Sequence, residues 1–141
     1  MTAFSLSTIG LLVFATVGCG SNQLPVAPVE GQVLYRGKAI ESGSVMFQPT
    51  MGPPAKGVIK PDGTFRLSTY GVDDGAVIGQ HKVRIASVGR QADAPIQPGD
   101  SPSEAIRGSR LIPEKYSYFE SSGLTAEVKE ENEAYVLKLT D

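Results

Sequence analysis

Short runs of alternating apolar and polar residues, separated by Gly-, Pro- and Asp-containing breaks, follow one another from residue 29 onward. A period of two marks a strand with one buried face. Val29, Val33 and Tyr35 fall on one face with Gly31 between them, and Glu30, Gln32 and Arg36 fall on the other. Gly37-Lys38-Ala39-Ile40 turns the chain, after which Val45 and Phe47 point inward and Ser44 and Gln48 outward. Residues 49–54 read as a proline- and glycine-rich loop and residues 55–60 as a third strand. Pro61-Asp62-Gly63 is a hairpin turn, because Asp-Gly supports positive φ where a tight turn needs it. Phe65 and Leu67 follow at period two, and Asp73-Asp74-Gly75 marks the next turn. The cleanest alternation starts at Gly79, with His81, Val83 and Ile85 on one face and Gln80, Lys82 and Arg84 on the other. Leu124, Ala126 and Val128 give a sixth strand and Tyr135, Leu137 and Leu139 a seventh, with Asn132 in the link between them.

Seven short, half-buried strands predict an all-β domain, a seven-stranded antiparallel β-sandwich over residues 29–141. A parallel α/β fold would need crossover helices, and the best helical stretch, 101–110, is short and carries Gly108. Residues 89–110 interrupt the pattern: 22 residues with Pro95, Pro98 and Pro102, three charges of each sign and little apolar content. Loops of that length are usually functional or unstructured, and this composition favours a mobile loop over a binding lid.

The first 29 residues are built differently, with no formally charged side chain among them. Residues 9–17 are apolar apart from Gly10 and Thr16. That length suits the apolar region of an export signal, about 7–15 residues, and falls short of the roughly 20 needed to span a bilayer. Gly18-Cys19 closes the stretch and contains the only cysteine, which excludes an intramolecular disulfide and a thiolate zinc cluster. This region resembles a bacterial lipoprotein signal peptide, in which the chain is cut before a cysteine that is then acylated. Gly18 and Cys19 match the lipobox, Val17 is accepted, and Thr16 stands where the family usually has Leu; the segment before the apolar run lacks Lys and Arg. Without the lipobox, the same stretch reads as an ordinary export signal or as a membrane-embedded segment with an incidental cysteine. The resemblance implies a signal peptide over 1–18, lipidation at Cys19 and an exported protein held to the cell envelope. Residues 19–28, with two prolines and no periodicity, read as a tether that holds the domain off the bilayer.

Cleavage there would leave 123 residues, enough for one domain with one core. The net charge is −2 and no basic run or basic–aromatic stripe occurs, which argues against nucleic acid as a partner.

The order of the short motifs adds a second resemblance. Gly31-x-Val33-x-Tyr35-x-Gly37, Gly43-x-Val45-x-Phe47-x-Pro49, Asp62-Gly63-x-Phe65-x-Leu67-x-Thr69, Asp74-Gly75-Ala76-x-x-Gly79, Val83-x-Ile85, Ile112-Pro113-x-Lys115-Tyr116 and the segment from Ser122-Gly123-Leu124 to Val128 follow in turn. This series resembles the small transthyretin-like, or carboxypeptidase-regulatory-like, lipoproteins of planctomycete bacteria. The resemblance covers nearly all of residues 29–140 and implies a prealbumin-like sandwich on a lipid anchor, with no activity attached. It also suggests that Tyr116 caps a strand end through its hydroxyl, in the manner of a tyrosine corner.

Candidate chemistry is sparse. His81 is the only histidine, stands on the apolar side of its strand, and has no Gly-x-Ser-x-Gly elbow to serve. Transthyretin-fold hydrolases that open hydroxyisourate use several histidines and a C-terminal Tyr-Arg-Gly-Ser; Tyr35-Arg36-Gly37-Lys38 only echoes it at the other end of the chain. Asp62, Asp73 and Asp74 are hard-cation ligand types, but they fall in turns where Asp is expected anyway and no EF-hand pattern surrounds them. Glu127, Glu130, Glu131 and Glu133 read as a solvated hairpin face rather than an acid–base pair. The Gly31 to Lys38 spacing is one residue too long for a phosphate loop and lacks its Ser or Thr. Tyr70, Tyr116, Tyr118 and Phe119 lie in loops, and Tyr116, Tyr118 and Phe119 are the candidate stacking platform for a ligand such as a sugar. The sequence thus points to a noncatalytic envelope protein with a structural or protein-interaction role, requiring no cofactor or metal. A glycan- or small-ligand-binding accessory module is the alternative.

Overall fold

The computed structural model describes residues 22–87 and 111–141. Strands dominate it: 47% strand, one helix, three sheets and no closed barrel. Ten strands occur among the described residues: β1 (Val26–Ala27), β2 (Glu30–Tyr35), β3 (Lys38–Ala39), β4 (Gly43–Pro49), β5 (Ala55–Ile59), β6 (Thr64–Arg66), β7 (Ala76–Val77), β8 (Gly79–Ala86), β9 (Leu124–Val128) and β10 (Tyr135–Leu139). Three of these are two-residue pairings that the alternation could not reveal. One of them, β1, lies in the segment read as a tether: Val26 pairs with Val77, Ala27 with Ala76, and Ala27 is buried. The chain is therefore part of the fold from Val26 onward. The helical candidate 101–110 and the whole 89–110 loop lie outside the described residues, whereas the helix observed, α1 (Phe119–Ser122), falls in a stretch expected to be loop.

One four-stranded sheet runs β5-β4-β8-β9, antiparallel throughout, with Phe47 opposite Ala55 and Val83, and His81 opposite Pro49 and Ala126. The other is centred on β2, which pairs with β10 along one side and with β6 and then β3 along the other. The alternating residues named above turn their apolar members into one core shared by both sheets, with Val33, Val45, Phe47, Leu67, Val83 and Ile85 fully buried. Along one flank the sheets are stitched by backbone: Lys56 of β5 exchanges N–H···O bonds with Ser68, just past β6.

The pairing of β10 corrects the expectation of a wholly antiparallel fold: it lies parallel to β2, Tyr135 opposite Gly31 and Leu139 opposite Tyr35. The reason is the link from β9. Asn132 donates to the carbonyls of Lys129 (2.7 Å) and Pro28 (3.2 Å) and accepts from the Lys129 N–H (2.9 Å). This holds the link beside the start of β2, so the chain changes sheets there and must run in β2's direction. The intervening chain serves as the long crossover that a parallel pair requires.

Turn chemistry closes the hairpins. Pro61 and Asp62 form the bend between β5 and β6, Gly63 takes φ 81° and its N–H donates to Lys60 O at 2.8 Å. Only Gly63, not Asp62, needs positive φ, as in a type I turn followed by a bulge. Between β2 and β3 both central residues do: Arg36 at φ 49° and Gly37 at φ 79°, a type I′ signature.

At the core's centre, the Phe47 ring meets Phe65 (6.3 Å), His81 (5.7 Å) and, edge-on, Tyr135 (6.0 Å), touching side chains from both sheets. Phe47→Ala should cost about 3–5 kcal/mol of stability. Urea unfolding of the purified domain would show this as a lowered midpoint with an unchanged slope.

Candidate functional site

Cys19 lies outside the described residues, but the way the following chain joins the domain is well defined. Pro25 O accepts from Ile78 N–H at 3.1 Å, and Leu24 N–H donates to the Tyr70 hydroxyl at 3.0 Å. Polypeptide entering from the cysteine side is thus held first by the loop between β6 and β7, then by β7 itself.

The three candidate stacking aromatics sit on a compact turn, a 3₁₀ segment at Glu114–Ser117 followed by α1. Gly123, in the left-handed conformation at φ 65°, ends the helix in the way its backbone freedom allows. Ser122 is buried and donates to Val83 O at 2.5 Å, which fixes the helix on β8. The aromatics point to different places. Tyr116 is buried in the core, and its hydroxyl both donates to Thr140 O (2.9 Å) and accepts from Thr140 N–H (3.0 Å), capping the end of β10. Burial pushes this phenol upward, but the Thr140 hydrogen bonds and the neighbouring Lys115 ammonium together outweigh it, and the net displacement is downward. Phe119 is half-buried beneath the Arg84 guanidinium, 5.3 Å from its ring centre, and Arg84 also donates to Ser117 O at 3.3 Å. Tyr118 is the exposed member. The turn does not gather the three into one platform, and only Tyr118 offers a ring to solvent without first breaking core or cation–π contacts.

His81 is 2% exposed, with Nε2 2.6 Å from Val77 O. A carbonyl can only accept, so Nε2 carries a proton and donates. Nδ1 is buried without a hydrogen-bond partner among the described residues. The ring serves as a core aromatic against Phe47 rather than as a base facing solvent.

Two of the three turn carboxylates, Asp62 and Asp74, are engaged locally, and Asp73 is exposed. Asp62 Oδ1 accepts from Thr64 N–H (3.0 Å) and its hydroxyl (2.6 Å). Asp74 takes N–H bonds from Thr69 (2.7 Å), Tyr70 (2.9 Å) and Gly71 (2.8 Å), organising the whole loop before β7. Partial burial pulls the Asp74 carboxyl upward, and those three N–H groups outweigh it and hold it below the ordinary carboxylate range. Among the described residues no three His, Cys, Asp or Glu side chains converge as a cation site. Glu127 pairs with Lys129 at 3.8 Å on the surface. Tyr35-Arg36-Gly37-Lys38 forms the β2–β3 hairpin, where Tyr35 and Arg36 both engage the Asp141 carboxylate. Beside them runs an open groove of about 390 Å³ lined by Lys38, Ile40, Glu41 and Leu111.

What the sequence reading missed is a set of exposed apolar loop residues, Leu24, Met51 and Val72. Apolar side chains inside Pro/Gly-rich breaks, as in Thr50-Met51-Gly52 and Gly71-Val72-Asp73, were their available signal.

Comparison with known proteins finds no family model, no curated protein and no solved structure that matches the chain. Among the described residues no helix is long and apolar enough to cross a membrane.

Three variants test this turn and loop. Tyr116→Phe should lose about 1–2 kcal/mol by breaking the Thr140 cap, whereas Tyr118→Ala should stay within about 0.5 kcal/mol of the parent in denaturant unfolding. A carboxyl titrating lower in the folded than in the unfolded chain stabilises fully above its unfolded pKa and loses that contribution as pH falls through its folded pKa. Asp74→Asn should therefore be destabilised near neutrality by about 1–3 kcal/mol. The gap should narrow once pH falls below about 4, as thermal unfolding across pH would show.

Proposed function

We propose that this chain is a lipid-anchored, noncatalytic protein of the cell envelope, whose β-rich domain is a prealbumin-like sandwich with a structural or protein-interaction role. The observation that carries the reading is the arrangement around Cys19: an uncharged apolar stretch of signal-peptide length, a small residue before the cysteine, and a short uncharged link into the fold at Val26. The two sheets over one core suit the sandwich. The inward-turned His81, its Nε2 committed to Val77 O, supports a packing role over general-base chemistry. The hydrogen bonds to Asp62 Oδ1 and to both Asp74 oxygens support turn-forming roles for those carboxylates.

Substituting Cys19→Ala should abolish incorporation of an alkyne-tagged fatty acid into the protein. It should also move the exported protein from the membrane pellet to the soluble fraction. Undiminished labelling of the variant would sink the anchor.

A further inference from the structure

The exposed apolar loop residues collect at one end of the fold. Val72 is 92% and Met51 75% exposed, and Leu24 and Tyr70 are each more than a third exposed. Leu24 ties them together: its N–H meets the Tyr70 hydroxyl, and its Cδ1 lies 2.6 Å from where a Cβ on Gly52, next to Met51, would stand. Asp74, by gathering the N–H groups of Thr69, Tyr70 and Gly71, fixes the loop that projects Val72. These loops follow β4 and β6, at the end where β1 enters the domain.

Chain length says what lies opposite this end. Leu24 is five residues beyond Cys19, so the two are at most about 18 Å apart even when the chain is fully extended. We propose that Leu24, Met51, Tyr70 and Val72 form a docking surface that rests in the interfacial layer of the bilayer holding the acylated Cys19. The inference rests on the lipid-anchor reading and adds to it a definite orientation, with the domain seated on the membrane rather than spaced from it.

Charge placement fits a one-sided, apolar contact. Residues 20–28 and 50–54 carry no formal charge, Asp74 is turned into its own loop, and exposed Asp73 is the remaining acid beside Val72. The acidic link from β9 to β10, with Glu130, Glu131 and Glu133, leaves the same end of the fold along the β9 and β10 edge, and its Asn132 lines one cleft with Asp73. A tilt toward the β5 and β6 edge lowers Met51 and Val72 into the headgroup region and lifts the glutamates toward water. Apolar transfer out of water, not attraction to anionic lipid, supplies the driving force. In this orientation Ser87 and Leu111, from which residues 88–110 depart and return, lie toward the end facing away from the membrane, where Leu111 N–H donates to Ser87 O at 3.3 Å.

The chain has no tryptophan, so a single introduced one reports its own surroundings. Full-length protein carrying Val72→Trp or Val58→Trp, recovered from cell membranes and reconstituted into phosphatidylcholine vesicles, is compared by emission and by quenching with lipids brominated near the headgroup. Val58 is an equally usable reference, 75% exposed on β5. The expected result is a blue shift and loss of emission for Val72→Trp and neither for Val58→Trp, unchanged when anionic lipid is added. Vesicle-bound protein with an unquenched Val72→Trp would overturn the docking surface while leaving the anchor intact. A blue shift that grows with protein concentration without bromolipid quenching would assign the patch to a second copy of the chain and overturn it equally. Failure of the unsubstituted chain to sediment with vesicles would overturn the anchor reading, and the docking surface with it.

Discussion

Phe47 is the contact on which the rest of the fold depends. It stands near the middle of β4, one of the two central strands of its sheet, and its ring reaches Phe65 and Tyr135 of the facing sheet as well as His81 beside it. Two sheets that share a core need such a bridge, because neither can bury its apolar face alone. Room for it is made by Gly31. A Cβ there would lie 2.4 Å from Tyr135 O and 2.8 Å from the Phe65 ring, so β10 and β6 approach β2 closely only because that position has no side chain. His81 follows from the same packing: the site calls for a planar ring against Phe47, and the imidazole meets it by donating Nε2–H to Val77 O while its other nitrogen has no partner among the described residues.

Most of the strand pattern was legible because it depends on local alternation. Val45 and Phe47, His81 to Ile85, and Leu137 and Leu139 face the core as period two requires. What alternation cannot encode is which strand lies beside which. The parallel placement of β10 rests on its register with β2, on buried Leu137 and Leu139, and on Asn132, whose amide reaches Pro28 across more than a hundred residues of sequence. The two-residue strands β1, β3 and β7 are too short to show any period, and β1 borrows its order from β7 and from Tyr70. The four-residue helix α1 owes its place to Ser122 on Val83 O and to the freedom of Gly123, not to a helical period.

Candidate chemistry divides in the same way. Aromatic residues close together in sequence suggested one surface, but alternating orientations on a tight turn send Tyr116 inward to cap β10, Phe119 beneath Arg84, and Tyr118 outward. Of the turn aspartates that resembled cation ligands, Asp62 Oδ1 and both Asp74 oxygens are taken by N–H and hydroxyl donors a few residues away, and Asp73 stays exposed. The surface that sequence reading passed over is apolar: single exposed residues in separate loops, brought together only when Leu24 packs between them. A lone apolar residue in a loop is ordinary; several at the end where an acylated chain would enter are not.

The proposed role rests on Cys19. Its chemistry can be read directly from protein recovered from the cell, by mass spectrometry of the intact chain and of its N-terminal peptide. A lipid anchor requires a mature N-terminus at Cys19, with the mass of a diacylglyceryl group on its sulfur. An N-terminus elsewhere, or an unmodified Cys19 within a longer chain, would contradict it.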